Sequence, residues 1–244
     1  MENVKMQIPK KIYPCPIAEA IFEIRFESSL PDDAIFGVIY NGFKDDYQEF
    51  SKLPILQLPE IIRTKDAALF HKPHYKLQKG NFLIQIGPKV LSLVNLKEYS
   101  GWAALAPKIS EVFAKLSVTE AVKSVTRIGL RYINVFEGLD IYKNTSLRLF
   151  LREKDLGAHQ TDLTFEFVKE NCSIRVRIAN AAMIEVQGAV TQGSVIDIDV
   201  VYNKTCEEFF KNISKLASIL HDEEKWMFFN LLDDAFLETL NPDY

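Results

Sequence analysis

The stretch FEIRF, residues 22–26, returns in altered form as IGLRY, residues 128–132, and the two together decide the fold. Both read apolar, small or polar, apolar, Arg, aromatic. Around the first copy the chain alternates from Ala20 to Phe26. Ala20, Phe22, Ile24 and Phe26 fall on one face and Ile21, Glu23 and Arg25 on the other, which is the period of a half-buried strand. The second copy lies inside a longer alternating run, VTRIGLRYINV, from Val125 to Val135. Pairing Arg25 with Arg131 sets the two copies 106 residues apart.

The elements after each copy come in the same order. After the first, Pro31, Asp32 and Asp33 supply a helix start, and Ile35, Phe36, Ile39, Tyr40, Phe43, Tyr47 and Phe50 recur at helical spacing until Pro54. Residues 55–96 then predict several strands, best seen in FLIQI (82–86) and VLSLVNL (90–96), with Gly80-Asn81 and Gly87-Pro88 as turns. A second helix closes the unit, with Trp102, Leu105, Ile109, Val112, Phe113 and Leu116 as its apolar stripe. After the second copy come a short helical stretch near Ile141 to Leu151, four strands over about Asp162 to Tyr202, and a helix marked by Phe209, Phe210, Ile213, Leu216, Ala217 and Leu220. Each half reads β-α-(several β)-α, the pattern of an internal duplication.

The predicted fold is therefore α+β: duplicated β-α-β4-α units forming a long antiparallel sheet with helices on one face, plus an extra C-terminal helix. The expected divisions are an extended N-terminal arm (1–18), a first repeat (19–121), a second repeat (122–221), and a C-terminal helix and tail (222–244). Pro9, Pro14 and Pro16 keep the arm extended. The last helix is expected to start near Asp222 with acids in its first turn. Its Trp226, Phe229, Leu232, Phe236 and Leu240 would cover the end of the core or, alternatively, pair two chains in a homo-oligomer.

A β-α-β4-α unit used twice resembles the saddle of the TATA-box-binding protein, in which helices cover one face of a long sheet and leave the other open. The resemblance concerns fold and carries no function. Alternation in LTFEF, IRVRI, IEVQ and IDIDV fits such a sheet. It places Leu163, Phe165, Phe167, Ile174, Val176, Ile178, Ile184, Val186, Ile196, Ile198 and Val200 on one face. The opposite face carries Thr164, Glu166, Arg175, Arg177, Glu185, Gln187, Asp197 and Asp199. The segments PCPIAEAIFEIRF (14–26) and RIGLRYIN (127–134) also resemble a sporadically distributed family of prokaryotic proteins of similar length. These motifs are strand signatures, so the resemblance implies an accessory, patchily inherited gene and brings no reaction, cofactor or functional residue with it.

Composition narrows the field further. Of 244 residues, 48% are hydrophobic and 25% charged, ordinary for a globular protein and unlike a disordered or collagenous chain. No apolar run approaches the roughly 18 residues of a membrane span. The N-terminal segment shows no signal-peptide core, and three scattered cysteines, Cys15, Cys172 and Cys206, suit reduced thiols, so a cytoplasmic location is expected. Recurrent phosphate-binding, nucleophile-elbow and zinc-protease motifs are missing. His71 and His74 in HKPH have Pro73 between them and no cysteine nearby, so no metal is expected. Cys172 with His159 or His221 could form a thiol and base pair, but Cys172 opens an alternating strand, where a structural thiol is commoner. No cofactor is expected.

The candidate ligand site is the polar side of the two matching strands, where Glu23 and Arg25 share a face, as do Arg127, Gly129 and Arg131. Gly129 in a strand interior can mark a bulge or a place where a ligand or another chain comes close. If the strands are neighbours, three arginines meet one glutamate and could hold a carboxylate, a phosphate or an acidic peptide. The candidate partner face adds Arg175, Arg177, Glu185, Asp197 and Asp199. Residues 1–121 hold 15 basic and 14 acidic residues, and 122–244 hold 14 and 19, so the acidic second half disfavours duplex nucleic acid. Lys72, Lys76, Lys79 and Lys89 with Phe70, Tyr75 and Phe82 leave a single-strand or RNA alternative. The leading expectation is a non-enzymatic module holding a protein or peptide on its open face or edge. The other alternative is an enzyme or sensor for a small anionic ligand.

Overall fold

A computed structural model describes residues 7–156, 161–186, 189–204, 206 and 208–244. The chain runs β1 (Ile17–Glu27), α1 (Asp32–Phe43), β2 (Glu49–Lys52), α2 (Glu60–Lys65), β3 (Tyr75–Lys79), β4 (Phe82–Gly87), β5 (Val90–Leu96) and α3 (Trp102–Ser117). It continues through β6 (Ser124–Glu137), β7 (Phe150–Leu151), β8 (Lys154–Asp155), β9 (Asp162–Lys169), β10 (Cys172–Val186), β11 (Ala189–Tyr202), α4 (Phe209–Leu231) and α5 (Asp234–Thr239). Nine strands make one antiparallel sheet in the order β2-β3-β4-β5-β1-β6-β11-β10-β9, while β7 and β8 pair apart. The two FEIRF-like strands are neighbours at its centre. Phe22 lies opposite Leu130, Arg25 opposite Arg127, Glu23 opposite Gly129, and Ile21 opposite Arg131.

Helices pack on one side of this sheet. Phe22, Ile24 and Phe26 of β1 and Leu130 and Tyr132 of β6 are buried against Ile35, Ile39 and Phe43 of α1, Leu105, Ile109 and Phe113 of α3, and Ile213, Leu216 and Leu220 of α4. Phe113 links the layers, meeting Phe22 edge-on at 5.2 Å and Phe209 at 5.8 Å. Each such side chain, fully buried, stabilises the fold by roughly 1.5–3 kcal/mol of transfer free energy. In the second half Ile174, Val176, Ile178, Ile196, Ile198 and Val200 are buried and Leu163, Phe165 and Phe167 pack beside them. The side chains of Ile184, Glu185 and Val186, and residue Gln187, lie outside the described part. Among the described residues no helix is long and apolar enough to cross a membrane.

Several expected boundaries move. The helix after β1 ends at Phe43, and Phe50 belongs to the edge strand β2. Asp45 and Asp46 would sit at the negative end of a longer helix, while Phe50 gains a stack with Phe36, at 5.4 Å, on the helix it leaves. Residues 54–74 hold a 3-10 turn (Pro54–Gln57) and α2, so strands resume only at Tyr75. The helical stretch expected near Ile141 to Leu151 is a single 3-10 turn, Ile141–Asn144. It is fixed where the Ile141 N–H meets Asn180 Oδ1 and Ser194 Oγ at 3.2 and 3.3 Å. The four strands expected over Asp162 to Tyr202 are three, because IRVRI and IEV belong to one long β10 that crosses a bulge between Ala179 and Ala182. The C-terminal helix does not start near Asp222: α4 runs unbroken for 23 residues from Phe209 to Leu231. Neither glycine nor proline interrupts it, so the 221/222 division falls inside a helix. The break comes at Leu232, and the Asp233 carboxylate caps α5 by accepting from the Ala235 N–H at 3.0 Å.

The N-terminal arm is stitched to the other end of the chain. Lys11 bridges Asp243 in antiparallel fashion, the Tyr13 N–H donates to the Leu240 carbonyl at 2.6 Å, and Asn241 Nδ2 donates to the Tyr13 carbonyl at 3.2 Å. Ile12 is buried in the core. Phe229, Leu232, Phe236 and Leu240 are likewise buried within the chain, and Trp226 packs on Phe167 and under Lys169.

Candidate functional site

Strand alternation sends Glu23, Arg25, Arg127, Arg131, Arg175, Arg177, Asp197 and Asp199 to the sheet face away from the helices. Neighbouring β1 and β6 bring the three central arginines together, and β11 adds two acids beside them. Glu23 Oε1 accepts from Arg25 Nε at 3.2 Å and Arg127 Nη1 at 2.9 Å, and Arg127 Nη2 donates to Asp199 at 2.7 Å. Arg131 grips both oxygens of Asp197 at 2.7 and 2.6 Å, and that pairing pushes its pKa up. Further out, Arg175 pairs with Glu166 at 3.0 Å and Arg177 holds Asp162 with two bonds of 2.9 and 2.7 Å. Five arginines face five acids, so the surface is close to neutral.

Gly129 has a specific reason to be glycine. A Cβ there would stand 2.7 Å from Arg127 Nη1, because the guanidinium lies across the Gly129 backbone on its way to Glu23 and Asp199. The group that approaches closely is therefore the protein's own arginine. A hollow of about 470 Å³ remains between this face and residues 67–73, lined by Glu23, Arg25, His71, Lys72, Arg127 and Arg131. Burial, and then the Arg25 charge, hold His71 below its usual pKa. His74 turns away and meets Arg63 instead. Of the first-half lysines and aromatic rings, Lys89 lies over the Phe70 ring at 5.3 Å and pairs with Glu27 at 2.8 Å, while Tyr75 stacks on Phe36 at 3.8 Å and Phe82 packs on the core. Cys172 is buried, and burial pushes its thiol up to about 11, far from a thiolate nucleophile. His159, its other candidate partner, lies outside the described residues.

On the helical side, a second place was not singled out by sequence. The arm, the loop before α3, β6 and α4 enclose a pocket of about 400 Å³, lined by Tyr13, Cys15, Tyr99, Trp102, Tyr132, His221, Glu224, Phe228 and Phe229 among others. That volume lies within the range of small-molecule sites. The Tyr132 hydroxyl lies 3.0 Å from that of Tyr99 and 3.1 Å from His221 Nδ1. The Trp102 ring stacks on the His221 imidazole at 3.9 Å and 5°. Burial, followed by the Lys225 charge, lowers His221 to about 4, so the ring is neutral at pH 7. Burial raises both tyrosines and keeps them protonated. With a neutral imidazole the same contacts are satisfied by two proton orders, Tyr99 to Tyr132 to Nδ1 or Nδ1–H to Tyr132 to Tyr99.

Glu224 is the exception in this ordered wall. It is 3% exposed, and its Oε1 has no hydrogen-bond partner. Burial pushes its carboxyl well above the usual range, with Lys225 opposing the shift. A buried polar atom left unpaired costs roughly 1–3 kcal/mol, and Glu224 is one of the residues lining the pocket. The sequence did hold a signal: Leu220, Glu224 and Phe228 recur at four-residue spacing, placing an acid inside the apolar stripe of α4. Reading a new helix from Asp222 hid it among first-turn acids.

Among the described residues no three His, Cys, Asp or Glu side chains converge as a metal site. No protein-family model matches this chain, and no curated protein does.

Proposed function

We propose that this protein is a binding module whose ligand is a small, largely apolar molecule held in the pocket between the N-terminal arm and α4. The observation that carries the reading is the buried carboxyl of Glu224, whose Oε1 has no hydrogen-bond partner, in the wall of a mainly apolar pocket that Lys10, Lys11 and Lys225 also line. The Tyr99-Tyr132-His221 chain adds a polar edge, and the arm, held by its hydrogen bonds to the C-terminal tail, supplies the cover. On the polar face, by contrast, the arginines already have acids as partners, and a small anion would have to displace them. This keeps the non-enzymatic binding expected from sequence and moves it to the other side of the sheet.

The test uses Cys15, an exposed thiol at the pocket rim. A panel of fragments of up to about 15 non-hydrogen atoms is screened by ligand-observed NMR, and hits are retested for slowing of Cys15 alkylation, located by peptide mass spectrometry. Hits that protect Cys15 support the pocket. A panel with no hit, or with hits that leave Cys15 reacting at its free rate, overturns it.

A further inference from the structure

We propose, resting on that reading of the pocket, that the ligand is an organic amine whose ammonium is taken by the Glu224 carboxylate while its apolar body lies among Tyr99, Trp102, Phe228 and Phe229. The walls define the chemistry by what they lack. Glu224 forms no ion pair within the described protein. From α4 it is flanked by neutral His221, by Lys225 and by Asp222. From β6 and the loop before α3 come the hydroxyls of Tyr132 and Tyr99, and from the arm come Cys15, Lys10 and Lys11. The two arm lysines are engaged with the C-terminal tail: Lys10 Nζ donates to the Tyr244 carbonyl at 2.5 Å, and Lys11 faces Asp243 at 3.5 Å. An anionic ligand brings acceptors and no donor for Glu224 Oε1. A neutral donor would satisfy Oε1 without ionising the carboxyl. An ammonium gains a charge-assisted hydrogen bond and the negative faces of the surrounding rings.

This choice has a proton balance. Burial favours the protonated form of Glu224 in the empty pocket, whereas an amine is an ammonium near neutral pH. Where the carboxyl is protonated before binding, forming the ion pair transfers that proton to solvent, and no other bond changes. Below the raised pKa of Glu224, affinity should rise about tenfold per pH unit.

The experiment is isothermal titration of the full chain with two matched pairs, phenethylamine against 2-phenylethanol and cyclohexylmethylamine against cyclohexylmethanol. It is run at pH 6, 7 and 8 in buffers of different ionisation enthalpy, with Cys15 protection recorded in parallel. The expected result is that each amine binds at least about tenfold tighter than its alcohol at pH 7. Proton release on amine binding should grow as the pH is lowered, and E224Q should abolish both the preference and the release while still binding the alcohols. Equal affinity within each pair, or a preference that survives in E224Q, overturns the amine and leaves the pocket standing. Should E224Q fail to fold, the amine-over-alcohol preference of the wild type decides, and its absence overturns the inference. If none of the four compounds binds or protects Cys15, the amine is overturned, and the fragment panel decides the pocket separately.

Discussion

The two sides of the sheet handle charge in opposite ways. On the polar face each of the five arginines named above ends on an acid, from Arg127 between Glu23 and Asp199 to Arg177 on Asp162. In the arm-covered pocket a single carboxyl is buried and has nothing on one of its oxygens. Abundance of charge drew attention to the first place, yet what distinguishes a site is unspent bonding capacity in a low-dielectric setting. A paired cluster on a wet sheet contributes to register and solubility. An orphan in an apolar wall is a local instability, and proteins commonly carry such instability where function needs it.

The largest expected effect breaks the comparison at its centre. Glu224→Met removes the buried acid and completes the Leu220–Phe228 stripe with a side chain of similar length. It should stabilise the empty protein by about 2 kcal/mol in urea denaturation, because the burial cost vanishes and apolar area is gained. Loss of stability on this substitution would mean that Glu224 has partners that hold it in the empty fold, and the contrast between the two regions would collapse.

The pH dependence sharpens the same point. Glu224 has a folded pKa raised above its ordinary 4.5, so its contribution is complete below that value and falls as pH rises toward the folded pKa. His221 has a folded pKa of about 4 against an ordinary 6.5, so the unfolded chain takes up a proton first on acidification and stability falls below pH 6.5. Above pH 4.5 the native state retains a proton on Glu224 that the unfolded chain gives up, and this slope opposes those of His221, His71 and His74, all held below their ordinary pKa. Glu224→Gln removes the opposing slope, so the variant should gain stability relative to the wild type as pH rises above 4.5, by up to about 1.4 kcal/mol per pH unit. Denaturation midpoints at half-unit intervals distinguish the cases, and parallel curves for the two proteins would sink the assignment.

The fold was legible and the pocket was not because their signals differ in range. FEIRF and IGLRY announce strands through a period of two that any half-buried sheet imposes, and the chain-wide order of elements then makes them neighbours. Phe43, Tyr47 and Phe50 misled because a turn and then an edge strand returned aromatic side chains to the same cluster at intervals that mimic a helix. The charged cluster was readable, since Glu23, Arg25, Arg127 and Arg131 lie on two adjacent strands. Its saturation was not, because Asp197 and Asp199 approach only through the pairing of β11 with β6. The pocket draws on the arm, the Tyr99 loop, β6 and α4, four segments spread from Lys10 to Phe229. No local period connects them, and only the four-residue spacing around Glu224 left a trace.

On the polar face the effects should be smaller and should grade with exposure. Arg127→Ala leaves Glu23 and Asp199 facing each other without their shared cation and should cost about 1–2 kcal/mol. Gly129→Ala should cost less, by pushing the Arg127 guanidinium aside. In the Arg127→Ala background it should cost almost nothing, since the atom it meets is gone. Additive losses in that double-mutant cycle would show that Gly129 serves some other approach and would reopen the face to a ligand.

The smallest effect is expected at the rim. Arg175 is well exposed, and its pair with Glu166 on the edge strand β9 is open to water and salt. Arg175→Ala should change stability by less than about 0.5 kcal/mol, with the difference disappearing at high ionic strength. A loss as large as that of Arg127→Ala would mean that charge on this face is coupled across β10 and β11 as one network. Pairwise neutralisation would then be the wrong description of the sheet, and the polar face would regain its claim as a built surface.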